Sequence, residues 1–73
     1  MRTKVIRIMS TVFQLDKNKI DDNCSMENIK LWDSLKHISL IIFLEEEFNC
    51  EFSTDEVVQM ISLKKILSIL KNK

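Results

Sequence analysis

The sequence predicts an all-α fold, and three observations point to it. The chain has 73 residues, 45% of them hydrophobic and 30% charged. A chain this short buries only about 60% of the surface its unfolded form exposes, so it needs a compact fold built from local contacts, with one core and one domain over residues 1–73. It contains no glycine, and Asn18, Asn23, Asn28, Asn49 and Asn72 do not lie between alternating apolar runs, which removes the tight hairpins that β-rich folds rely on. Its apolar residues recur at intervals of three and four, the period of a helix that buries one face.

Each element follows in order. Between about Arg2 and Gln14, the residues Val5, Ile6, Ile8, Met9, Val12 and Phe13 are interleaved with charges, which is an amphipathic helix. From Leu15 to Trp32 the pattern dissolves into Asp, Asn, Lys and Ser, with Ile20, Met26, Ile29 and Leu31 as single apolar anchors. A connection of that length in so small a domain is uncommon and usually functional. A second helix is expected to begin at Asp33, whose carboxylate can cap the first-turn N–H groups, and to run to about Asn49. Its Leu35, Ile38, Leu40, Ile41, Ile42, Leu44 and Phe48 cover an arc wider than one partner helix can bury. Leu40, Ile41, Leu44 and Phe48 are assigned to the core, while Leu35, Ile38 and Ile42 fall at an edge suited to docking. Ser53 and Glu56 have the spacing of a capping box that opens a short helix through Val57, Val58 and Met60. Ser62 can cap a last helix carrying Leu63, Ile66, Leu67, Ile69 and Leu70, with Lys71 and Lys73 near its negative end. The prediction is a four-helix bundle, three longer helices and one short one, with a long loop between the first two.

The formal net charge is zero, yet the charges are segregated. Residues 1–20 hold five basic side chains against one acidic, residues 21–56 hold ten acidic against two basic, and the remainder adds four lysines. An acidic middle favours basic protein partners and disfavours nucleic acid. The longest unbroken apolar run is Leu40 to Leu44, far short of the ~20 residues that span a bilayer, and Arg7 interrupts the region where a signal peptide would need a clean apolar core. Neither membrane insertion nor export is expected; a cytoplasmic monomer is. Cys24 and Cys50 then read as reduced thiols, too few for a disulfide framework. Without glycine there is no P-loop, dinucleotide fingerprint or nucleophile elbow.

The most informative residues are Asp33-Ser34-Leu35, where the loop meets the apolar helix. A serine in the first turn has its hydroxyl beside unsatisfied N–H groups and the positive end of the helix dipole, where an attached phosphate would be stabilised. The arrangement resembles the acyl carrier protein family across essentially the whole chain. The long loop after the first helix, Asp33-Ser34-Leu35 opening the second, Leu44-Glu45-Glu46-Glu47-Phe48 closing it and Ser53-Thr54-Asp55-Glu56 starting the short third carry the resemblance. It implies that Ser34 is the attachment point, flanked by Asp33 and Leu35, for 4′-phosphopantetheine derived from coenzyme A, whose terminal thiol holds acyl cargo as a thioester. It also implies a protein with no catalysis of its own, served by a phosphopantetheinyl transferase and by acyl-loading ligases, synthases or transferases. Partner enzymes would meet Glu45, Glu46 and Glu47 by charge and Leu35, Ile38 and Ile42 by apolar contact, with Lys36 and a surface His37 beside the arm. Typical fatty-acid carriers have glycine before this tripeptide and an acidic residue after it. Leu31-Trp32 before and Lys36-His37 after look more like stand-alone carriers for acyl- or aminoacyl-activating ligases, including D-alanyl-type carriers, or for polyketide and peptide assembly.

Rival chemistry finds less support in the residues. Asp16 to Glu27 fits a calcium-loop register at three positions, but Ile20 occupies a ligand position and Asp21 stands where the loop needs glycine. Ser34 and His37 lie one turn apart, yet no third residue orients the imidazole for nucleophilic chemistry. Cys24, His37 and Cys50 lack the paired spacing of a structural zinc site, and no metal is expected. Trp32 reads as an anchor pinning the loop's end to the bundle. A helical adaptor binding protein through the second helix, with no prosthetic group, is the competing class.

Overall fold

A computed structural model describes all 73 residues, from Met1 to Lys73. Each of the four stretches of helical periodicity forms a helix: α1 (Arg2–Phe13), α2 (Ser34–Phe48), α3 (Thr54–Gln59) and α4 (Leu63–Lys71). No strand forms beyond one isolated antiparallel bridge between Ser25 and Ser62. No helix is long and apolar enough to cross a membrane.

Local chemistry sets the helix ends. Asp33 is the N-cap of α2 and its side chain accepts from the Lys36 N–H at 2.8 Å. Ser53 and Glu56 complete a reciprocal capping box, the Ser53 hydroxyl accepting from the Glu56 N–H and the Glu56 carboxylate from the Ser53 N–H. The Ser62 hydroxyl accepts from the Lys65 N–H to start α4. The C-termini of α1 and α2 close on left-handed residues, Gln14 at φ 55° and Asn49 at φ 50°. Glycine usually takes that position, and in a chain without glycine the task falls to these polar residues.

The core is one cluster. Val5, Ile8, Met9, Val12 and Phe13 of α1 pack with Leu40, Ile41 and Leu44 of α2 and Leu63, Ile66 and Leu70 of α4. The spacing 37, 40, 41, 44 lies on one helical face, so α2 buries that side and exposes the other. Phe48, assigned to the core, is half-buried at the margin, because α2 ends there. Met60 is buried but lies just past α3 as its C-cap, so the short helix stops at Gln59, one residue earlier than its apolar pattern implied.

The connection between α1 and α2 is more ordered than its composition suggested. A single 3-10 turn at Lys17–Lys19 follows α1, and Ile20, Cys24, Ile29 and Trp32 are buried. Its middle is tied to the start of α4, the Met26 N–H donating to the Ile61 carbonyl at 2.8 Å and the Leu63 N–H to the Cys24 carbonyl at 3.2 Å. Leu31, one of the expected anchors, is exposed, since its neighbour Trp32 takes the inward position. Both cysteines are free thiols.

Candidate functional site

The Ser34 hydroxyl stands at the first helical position of α2, exposed and without a hydrogen bond to the chain. Asp33 has turned its carboxylate to the Lys36 N–H, leaving the N–H groups of Ser34 and Leu35 without an acceptor within the chain. These donors and the helix dipole make the space around the serine favourable to negative charge. Lys36, half-buried in the same turn and engaged in no ion pair, adds a positive charge. The residues present therefore fit a phosphodiester on Ser34: an accessible hydroxyl, two free donors and one cation in one turn.

Beyond the serine, α2 presents an apolar outer strip. Leu35 is 75% exposed, Ile38 55% and Ile42 50%, as their position at the edge of the arc implied. Phe43 is exposed as well, on the opposite flank of the outer side of α2 from Ile38, and is the residue that sequence reasoning passed over. Its signal was present: it lies one position beyond Ile42 and outside the 37, 40, 41, 44 register.

His37 is the principal correction. Expected at the surface beside the arm, it is buried at 9% exposure. Its Nδ1 accepts from the Trp32 indole Nε1–H at 3.0 Å, and its Nε2 lies 2.8 Å from the Val57 carbonyl. Trp32 is the anchor expected of it, buried and stacked on Phe13 with ring centroids 4.7 Å apart. The reason is register: position 37 lies on the buried face with Leu40, Ile41 and Leu44, and two polar partners there satisfy both ring nitrogens. His37 does not line the surface around Ser34.

The three glutamates at the end of α2 also diverge. Glu45 accepts from the Phe52 N–H at 3.0 Å and so holds the turn into α3. Glu47 faces α1, with Lys4 at 3.7 Å and Arg7 at 3.8 Å. Only Glu46 is exposed and uncommitted. Two acids inside the calcium-like stretch, neither of them at a matched ligand position, have partners of their own. Asp21 accepts from the Asn23 N–H, and Asp22 pairs with Arg2 at 2.6 Å, which holds its carboxyl below the ordinary value. Cys50 is half-buried, and desolvation pushes its thiol above the ordinary range.

Over 70 residues the chain is 30% identical to the acyl carrier protein of Buchnera aphidicola subsp. Schizaphis graminum, an alignment covering 96% of this chain and 89% of that protein. No family model matches the sequence.

Proposed function

The chain belongs to the acyl carrier protein family, and on that footing we propose that residues 1–73 form a single carrier domain whose Ser34 bears a 4′-phosphopantetheine arm. The observation that carries this reading is the exposed, unbonded serine hydroxyl in the first turn of α2. When bound, the arm supplies a terminal thiol that holds acyl, aminoacyl or polyketide cargo as a thioester. The chain's own residues supply position. Ser34 offers the hydroxyl to a phosphopantetheinyl transferase, the Ser34 and Leu35 N–H groups and Lys36 favour the phosphodiester, and Asp33 keeps the helix start in shape.

Function on this reading is transport without catalysis. A flexible tether raises the effective concentration of cargo at whichever enzyme has docked the carrier. Leu35, Ile38 and Ile42 offer that enzyme an apolar strip, with Phe43 to one side, and Glu46 and the exposed Glu47 offer charge, while Glu45 holds the turn into α3. Lys36 in place of an acid after the tripeptide supports loading by a dedicated acyl- or aminoacyl-activating ligase.

The same apolar strip favours a second reading, an adaptor without a prosthetic group. Intact-protein mass spectrometry separates the two. Incubation with coenzyme A and a broad-specificity phosphopantetheinyl transferase is expected to add one phosphopantetheine to the wild type and nothing to S34A, whose fold stays intact because the lost hydroxyl has no partner. A folded wild type that stays unmodified with several transferases favours the adaptor.

A further inference from the structure

Trp32, His37 and Val57 come from the loop's end, the start of α2 and the middle of α3, yet they share one line of hydrogen bonds. The indole Nε1–H can only donate, so His37 Nδ1, 3.0 Å away, must be the bare nitrogen. The Val57 carbonyl can only accept, so Nε2, 2.8 Å away, must carry the proton. Both neighbours demand the same tautomer, and a donor on one side of the ring makes a donor on the other. The indole cannot swing away, since it is 3% exposed and stacked on Phe13.

Helix α3 has few other polar ties, although Val57 packs against the core and its C-cap Met60 is buried. None of its residues is fully buried. Its remaining polar links are the Phe52 N–H to Glu45, at the far end of α2, and Glu56 to Lys73 at 2.7 Å. Only the His37 bond joins α3 to the turn that holds Ser34.

Resting on the reading of Ser34 as the attachment point, we propose that His37 is a positioning residue of that site: Trp32 selects its tautomer, and the tautomer seats α3 against the first turn of α2. Serine, helix start and α3 then meet a transferase as one rigid face. Without the relay, α3 moves independently of the serine.

The test uses the full chain, whose single histidine and single tryptophan give unambiguous signals. Nitrogen-15 NMR of the wild type is expected to show His37 protonated on Nε2 alone, with the indole N–H protected from exchange. In W32F, which keeps a ring on Phe13 but removes the donor, the tautomer bias is expected to weaken to what the Val57 carbonyl alone enforces. Exchange of the Val57 and Met60 amides should rise about tenfold, the size of one lost hydrogen bond. The amides of α4 should not change. Transferase KM should rise for both W32F and H37Q, with kcat held within about twofold. H37Q, which can still reach one partner, is expected to lie between W32F and wild type in α3 exchange. A wild-type ring protonated on Nδ1 overturns the proposal without any variant. So does W32F that loosens the loop and α1 while α3 exchange is unchanged, even if Ser34 is modified normally. A wild type that is never modified overturns the Ser34 reading, and the positioning role with it, and is recognised by an intact Nε2–H signal beside an unchanged mass.

Discussion

Asp33 caps α2 through a 2.8 Å hydrogen bond to the Lys36 N–H, and the residue after it is the serine on which the functional reading depends. Replacing Asp33 by alanine leaves that N–H to water, at a cost of about 1 kcal/mol. For a domain of this size the melting temperature is expected to fall by roughly 4–8 °C in a calorimetric scan. An unchanged melting temperature would show that the cap does not hold the serine's turn. Capping residues such as Asp33, Ser53 and Ser62 are legible in a sequence because cap chemistry reaches only three residues ahead. His37 was not legible in the same way. Its local context is a charged first turn, and only the register shared with Leu40 and Leu44 hints at burial. The partners that make that burial tolerable, Trp32 and the Val57 carbonyl, are supplied by the fold.

At the scale of elements, α3 is held by polar contacts at both ends together with Val57 packed against the core. Glu56 accepts both from the Ser53 N–H and from Lys73, and these bonds hold its carboxyl below the ordinary glutamate value, the Lys73 hydrogen bond contributing most. A depressed folded-state value means that the charge stabilises the fold above the ordinary glutamate range and that this support is lost as pH falls through the lowered value. E56Q keeps an acceptor for Ser53 and removes the charge. It is expected to melt below wild type at neutral pH and to converge with it in acid, read from thermal melts across a pH series. A gap that stays constant with pH would show that the charge contributes nothing. The loop between α1 and α2 gives the complementary lesson. Ile20, Ile29 and Trp32 were visible as apolar anchors, but the hydrogen bonds that tie Met26 and Cys24 to the start of α4 join segments far apart in the chain and carry no local signal.

For the molecule as a whole, the division of α2 into an inner and an outer face decides what is core and what is free to dock. Leu44 is fully buried and L44A is expected to lose about 2–5 kcal/mol, a large share of a small domain's total stability. Ile42, two positions earlier, is half exposed, and I42D is expected to change stability by no more than about 0.5 kcal/mol while weakening the docking of a loading enzyme. Urea denaturation beside a loading assay checks both, and an I42D chain that unfolds like L44A would remove the outer face as a docking surface. Charge behaves less simply. The acidic middle and basic ends suggested a surface for basic partners, but the chain folds its own basic ends onto that middle: Arg2 onto Asp22, Lys4 and Arg7 towards Glu47, and Lys73 onto Glu56. Helix number, caps, the exposed Leu35, Ile38 and Ile42 and the place of Ser34 at the start of α2 were settled by the sequence alone, because propensity, periodicity and capping act within a turn or two of chain. The burial of His37, the anchoring of the loop on α4 and the pairing of opposite charges across the fold were decided only in three dimensions. Each depends on which groups distant in the chain come within hydrogen-bonding reach once the helices pack.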